Sequence, residues 1–367
     1  MRRRIVLAVG CLLFAGVLGL ARAAQEPAIG GLYEICIGTT NLLPQIAYWE
    51  QLGYRVGSIG ELDAAQAQAL YGVNSKMRGV RLLHQDSDHG LIRLWQWEKP
   101  VNQGLGMARM LQPGSRWTST LTRDVMSLYN HAEAAKRAGQ PVHAVAPQWS
   151  EIYKLAQSEP FIGDIVGVRE LIVLQPLTRN MFFQRFGYDA ASYGKVNEAA
   201  KFRASQATHN GLVYASDDAA TPKFYSDVLG LQLAQFDKLT TYESLDEGSR
   251  QVYGMKPGES YYGSVVNDPR NGATPDTAVS GRLLLRRIPL ALKQENLPKQ
   301  ENLIDRSRPG SLGYSLYTYR VRDLAAYHTI VKASKATDVT AMLKNEFGEM
   351  SFGFKAPDGH SWALVGR

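Results

Sequence analysis

Four times along the chain the hydropathy pattern changes in the same way. A strand-length apolar stretch gives way to a polar turn, then to apolar positions spaced three and four apart. Leu32–Gly38 alternates as a strand, and Leu42, Ile46, Trp49 and Leu52 then share one helical face that Gly53 ends. Met77–Leu83 and Leu91–Trp97 follow as strands around the polar turn Gln85–Gly90, which completes a βαβββ unit. A second unit starts near Trp117. Its helix, Asp124 to Gly139, carries Val125, Leu128, Tyr129, Ala132 and Ala135 on one side, and Pro141–Val145 and Ile165–Leu174 read as strands. A third starts near His209, with Pro222 in the first turn of its helix, and a fourth runs from Gly313 to the end.

The units repeat in detail. Tyr48-Trp49 precedes Leu52-Gly53-Tyr54 as Phe224-Tyr225 precedes Leu229-Gly230-Leu231. Leu70-Tyr71-Gly72-Val73 is echoed by Val252-Tyr253-Gly254-Met255. Such a repeat points to stacked modules of one kind. The predicted fold class is α+β, with four βαβββ modules paired into two domains, 30–178 and 206–367. The aromatic and polar stretch 179–205 is expected as the connection between them, and Ala291–Gly310 as an exposed loop.

The ends and the composition narrow the class. Arg2-Arg3-Arg4, the apolar run Ile5–Ala21 and Ala21-Arg22-Ala23 read as a signal peptide over residues 1–23, which implies a periplasmic or secreted protein. Losing its four arginines lowers the formal charge from +7 to about +3, too little for nucleic acid. No later apolar run is long enough to span a membrane. The mature chain keeps one cysteine, Cys36, so it rests on its core and not on an internal disulfide. No nucleophile elbow, phosphate-binding loop or dinucleotide fingerprint appears. The partner expected is a small molecule, bound by a monomer or homodimer.

Phe224-Tyr225 with Leu229-Gly230-Leu231, and Ala356-Pro357-Asp358-Gly359-His360-Ser361-Trp362-Ala363-Leu364, resemble the vicinal oxygen chelate superfamily. This group includes glyoxalases, bleomycin-resistance proteins and extradiol dioxygenases. The resemblance implies two vicinal-oxygen-chelate-like domains, each curling around a site. It also implies metal ligands on the first and last strands of each module, and a divalent metal with an open position that polarises substrate oxygens.

Counting from the module turns, the ligand-like positions depart from that pattern. The third and fourth modules offer Asn210, Leu316 and Ala363, and a register one residue off would bring in His209. The first two modules offer Glu34, Trp117, Arg93 and Glu170. Glu34, Arg93 and Glu170 are therefore the candidate catalytic residues. A carboxylate would act as general base, and the arginine would hold a carboxylate, enolate or phenolate. The plain alternative is a buried Glu–Arg–Glu network that neutralises itself.

Trp117, facing the same cavity as Glu34, Arg93 and Glu170, and Tyr214, Tyr319, Trp362 and Arg286, on strands that would line an aromatic cavity in the second domain, are the candidate substrate-binding residues. No cofactor is expected. A divalent Fe, Mn or Zn on Glu34, His143 and Glu170 is the alternative. His84 and His89 flank a turn and are expected in solvent. The expected function is metal-independent acid–base chemistry, isomerase- or lyase-like, on a small aromatic or oxygen-rich molecule. A non-catalytic sequestering protein and a metal-dependent dioxygenase-like enzyme are the other two readings.

Overall fold

The computed structural model describes residues 28–154, 165–290 and 300–367. Residues 1–23, read as a signal peptide, lie outside the described residues. The first module comprises β1 (Ile29–Thr39), α1 (Leu42–Glu50), β2 (Tyr54–Leu62), α2 (Ala64–Tyr71), β3 (Met77–His84) and β4 (Leu91–Trp97). The second comprises β5 (Arg116–Thr122), α3 (Val125–Arg137), β6 (His143–Ala144), β7 (Gln148–Lys154), β8 (Ile165–Leu174) and β9 (Arg179–Phe186). The third has β10 (Ala204–Ala215), α4 (Lys223–Asp227), β11 (Gln232–Thr241), α5 (Glu247–Tyr253), β12 (Ser260–Asn267) and β13 (Arg282–Ile288). The fourth has β14 (Gly313–Val321), α6 (Leu324–Lys332), β15 (Leu343–Lys344), β16 (Met350–Lys355) and β17 (Ser361–Gly366).

Local chemistry starts and stops the helices. The side chains of Asn41, Asp63, Asp124, Asp246 and Asp323 each accept an N–H of the first turn of α1, α2, α3, α5 and α6. Gly72 and Gly254 end α2 and α5 in the left-handed conformation. The tetrapeptide echo in the sequence is thus one helix end used twice.

In every module the first strand lies beside the last, and the order then runs back toward the second, with β7 of the second module pairing β8 off this path. The first sheet runs β15-β16-β17-β14-β1-β4-β3-β2 and the second β11-β12-β13-β10-β5-β9-β8-β6. Modules one and four therefore share a sheet, as do modules two and three. This corrects the expected pairing of consecutive modules: β1 pairs with β14, and β10 with β5. Segment 179–205 corrects it too. Its first residues form β9, the last strand of the second module. The polar residues Arg179 and Asn180 hide that strand in the sequence. Both are buried, with the Arg179 guanidinium donating to the carbonyls of Ala108, Arg109 and Arg116. Only the short turn Ala191–Tyr193 of that segment is helical, in 3-10 form.

The largest apolar core lies between the sheets and under α1, α3, α4 and α6. The Tyr317 hydroxyl bridges the sheets by donating to the carbonyls of Trp117 and Gly211, both at 2.9 Å. Each sheet keeps a second face, its cup, with a core of its own. Cys36, Tyr71, Trp95, Trp97, Leu316 and Ala363 pack in the cup of the first sheet. Trp117, Phe183, Val213, Val252 and Tyr261 pack in the cup of the second. No helix among the described residues is long and apolar enough to cross a membrane.

Candidate functional site

The cup of the first sheet is closed by its own charges. Glu34 on β1 and Arg93 on β4 face it together, as the strand alternation requires. Glu34 is fully buried. It accepts from Arg81 Nε at 2.6 Å, from Arg93 Nη1 at 3.2 Å and from the Thr318 hydroxyl at 3.2 Å. Arg93 turns its other edge to Glu346, which sits in the loop between β15 and β16. Nε reaches Oε1 at 2.8 Å and Nη2 reaches Oε2 at 2.5 Å. The Trp95 N–H and the Tyr71 hydroxyl complete the grip on Glu346, at 2.7 and 3.0 Å. Burial alone would raise the Glu346 carboxyl. The Arg93 charge and the hydrogen bonds outweigh it and hold the group below the usual carboxylate range. Arg81 also pairs with Glu349, and the Phe347 ring lies 4.4 and 4.9 Å from the Arg81 and Arg93 guanidiniums.

Glu34 and Arg93 thus meet, but inside a satisfied Glu–Arg–Glu network whose second carboxylate is Glu346. Glu170 does not join them, because it belongs to the other sheet. Beside the network a cavity of about 240 Å³ opens over the fourth module, among Leu70, Tyr71, Leu316, Gly353 and Ala363, with Arg308 and Lys355 at its rim.

The cup of the second sheet is built differently. Glu170 on β8 is half-buried and stands in register with Phe183 on β9. Burial raises its carboxyl, and the nearby Asp246 adds to this, while Arg185 works against it. The Arg185 guanidinium lies 4.7 Å from the ring centres of both Phe183 and Tyr193. His209 on β10 stacks on Phe183 with centroids 5.6 Å apart and 13° between planes. Burial pushes its imidazole well below the ordinary range, helped by the charges of Arg282 and Arg185, so it is neutral. Arg286 on β13 donates to the Tyr253 hydroxyl at 3.1 Å and lies 5.2 Å from the centre of the Tyr261 ring. Trp117 packs its ring edge-on to Tyr253, with centroids 6.1 Å apart.

Several polar atoms of this cup are buried without a hydrogen-bond partner among the described residues. They are Trp117 Nε1, Ser119 Oγ, Arg185 Nε, His209 Nε2 and Arg286 Nε.

Of the five residues expected to bind substrate, Trp117 and Arg286 face this cup. Tyr214, Tyr319 and Trp362 do not; they belong to the core between the sheets. Tyr319 stacks on Trp362 there, with centroids 5.4 Å apart and 9° between planes. The register on β10 is one residue off the count. A bulge between Ala207 and His209 turns His209 into the cup and Asn210 into the sheet interface. His84 and His89, expected in solvent, are buried. His84 meets the Ala204 carbonyl, and His89 lies between Asp88 and Ser280. Residues not foreseen at all are Arg81, Glu346 and Arg185. Tyr71 and Tyr253 were visible in the repeated tetrapeptide.

The residues present do not fit a resident divalent metal. Glu34 and Glu170 lie in different sheets, and His143 is exposed on the short edge strand β6. In the first cup Glu34 and Glu346 are both already paired with the Arg81 and Arg93 guanidiniums, and Leu316 and Ala363 offer no lone pair. In the second cup Arg185, Arg282 and Arg286 set positive charge against a dication. Among the described residues no cluster of three or more His, Cys, Asp or Glu is suited to hold a metal ion.

No family model and no curated protein matches the sequence. Among solved structures it is similar to glyoxalase I from Zea mays, at 12% identity and a TM-score of 0.45 over 92% of each chain. About 45% of it is similar to the whole of a glyoxalase family protein from Bacillus cereus, at 13% identity and a TM-score of 0.32. About 43% of it is similar to 94% of a glyoxalase family protein from Enterococcus faecalis, at 15% identity and a TM-score of 0.27. At these identities the likeness is one of fold.

Proposed function

We propose that the protein takes a small, oxygen-rich anion with aromatic character into the cup of the second sheet, and acts on it by proton transfer without a metal. The observation that supports this most is the contrast between the cups. The first satisfies its own charges, whereas among the described residues the second gathers Arg185, Arg282 and Arg286 around Glu170, with Asp246 nearby, and leaves a row of polar atoms unpartnered. Buried polar atoms without partners are costly, and a ligand that supplies the missing partners recovers that cost.

Glu170 is the proton-moving group in this reading. Burial favours its neutral form, so it can donate, and Arg185 beside it keeps the ionised form accessible for accepting. The chemistry this supports is isomerase- or lyase-like. Glu34 is less suited, because both of its oxygens already accept hydrogen bonds.

The sequestering role remains as the second reading. It is favoured by the neutral, buried His209, which leaves Glu170 without an obvious acid–base partner. The two are separated by Glu170→Gln. With a substrate in hand, proton-transfer chemistry requires turnover to fall by about 10²–10⁴ while binding stays within a few-fold. Unchanged turnover would sink the assignment. Export remains part of the proposal. Cell fractionation of chains with and without residues 1–23 tests it, and retention of the full chain in the cytoplasm would refute it.

A further inference from the structure

The repeat gives each cup the same tools. Cys36 stands in register with Arg93 as Val213 stands in register with Arg286, so the two arginines occupy equivalent places on the fourth strands of modules one and three. Each arginine reaches a tyrosine at the end of the helix inserted in its own module. Arg93 Nη2 meets Tyr71 at 2.9 Å, and Arg286 Nη2 meets Tyr253 at 3.1 Å. Each cup also brings an indole N–H to the same neighbourhood, from Trp95 in the first and Trp117 in the second. Tyr71 and Trp95 lie 4.8 Å apart by ring centroids, Tyr253 and Trp117 6.1 Å.

In the first cup this trio of arginine, tyrosine and tryptophan has a known guest. It closes on the Glu346 carboxylate through four hydrogen bonds, two of them from one guanidinium. In the second cup no carboxylate of the described residues pairs with Arg286, and Gly211 takes the place of Glu34. A side chain at Gly211 is barred by the Trp117 ring, which lies against its Cα. Arg286 is 8% exposed, and among the described residues its Nε has no partner. The Trp117 N–H has none either. Around them stand the rings of Tyr253 and Tyr261, with 5.7 Å between centroids.

We infer that Arg286, Tyr253 and Trp117 form a receptor for the carboxylate of a small aromatic acid, which binds in the second cup as the Glu346 side chain binds in the first. The inference rests on the proposed use of the second cup and names the chemical class of its ligand. Arg286 and the Trp117 indole donate to the carboxylate, Tyr253 orients the guanidinium, and the ring of the acid packs on Tyr253 and Tyr261. Arg286 and Tyr253 are binding and positioning residues here; no bond is made or broken at them.

The test uses the full mature chain and benzoate as the probe, with benzamide as its neutral counterpart and inorganic phosphate as a second anion. Calorimetric titration is expected to show saturable benzoate binding and at least about tenfold weaker binding of benzamide. Arg286→Lys keeps the charge and loses the paired donors, so it is expected to weaken benzoate by about tenfold or more. Tyr253→Phe removes one hydroxyl and leaves the ring. It is expected to weaken benzoate several-fold in a chain that still folds, at a modestly lower melting temperature, which covers the case in which the arginine variant does not fold. Equal binding of benzamide and benzoate overturns the inference, and so does benzoate binding indifferent to both variants. Phosphate binding that needs Arg286, without benzoate binding, refutes the carboxylate receptor and leaves the anionic cup standing. Binding of neither anion refutes both.

Discussion

Arg93 and Glu346, 253 positions apart in the chain, face each other as a doubly hydrogen-bonded pair at 2.8 and 2.5 Å inside the first cup. The pair ties the fourth strand of the first module to a loop of the fourth module. Removing one partner of a buried pair leaves the other charge stranded, at about 3–5 kcal/mol, whereas replacing both by apolar groups of like volume costs little. Glu346→Leu alone is therefore expected to destabilise by that amount. Arg93→Met with Glu346→Leu should lose much less than the two single changes together, although Glu34 and Arg81 stay behind. Urea unfolding of the three variants measures this. Simple additivity would show that the pair is not coupled.

Asp358 makes stability depend on pH from the other side of the sheet. It is buried at the turn before β17, and its carboxyl is pushed up to about 6 by burial, against the hydrogen bonds from Tyr225 and the His360 N–H. An acid whose folded value is raised favours folding when protonated. The ionised form penalises the native state above about pH 6, and the penalty fades as pH falls toward the unfolded value of 3.8. The full difference corresponds to about 3 kcal/mol. Asp358→Asn is expected to gain stability relative to the native chain at pH 7, and to lose that advantage by pH 4. A difference that does not vary with pH would refute the shift.

His84 works in the opposite direction. Burial lowers its imidazole to about 4, opposed by the Ala204 carbonyl, which lies 3.2 Å from Nε2 and so receives the N–H of the neutral ring. A base with a depressed folded value favours folding when neutral. Its contribution is complete above the unfolded value of 6.5 and is lost as pH falls through 4. His84→Gln, which keeps a donor toward Ala204, is expected to flatten the loss of stability between pH 6.5 and 4. Thermal melts across that window decide it, and an unchanged acid limb in the variant would count against the assignment.

The modules were legible in the sequence because each is a local statement: a strand, a cap and a helical stripe. Glu34 and Arg93 were legible for the same reason, since strand alternation alone turns them to one face. What was hidden depends on distant or irregular features. The union of modules one and four rests on β1 finding β14 and not the neighbouring β5, which no local pattern records. Glu346 comes from a loop between two short strands, so no period points to it. The bulge on β10 reversed the faces of His209 and Asn210, and took Tyr214 to the sheet interface. Tyr319 and Trp362 were placed in a cavity because aromatic residues suit either face of a sheet, and packing settles which one.

Two glycines of the first module separate backbone strain from steric conflict. Gly72 closes α2 at φ +70° with open space around its Cβ position. Gly60 on β2 has an ordinary backbone, but an added Cβ would overlap the Glu346 carbonyl. Gly72→Ala is therefore expected to cost about 1 kcal/mol, the usual penalty of a left-handed cap without glycine. Gly60→Ala pushes the loop that carries Glu346 away from Arg93, and is expected to cost about 3 kcal/mol or more by loosening the buried pair. The second effect has a signature that the first lacks. In an Arg93→Met, Glu346→Leu background the buried pair is already gone, so the cost of Gly60→Ala should shrink while that of Gly72→Ala stays the same. Denaturant melts of the two glycine variants in both backgrounds measure it. Equal costs of Gly60→Ala in both would mean that the glycine serves the strand and not the seat of Glu346.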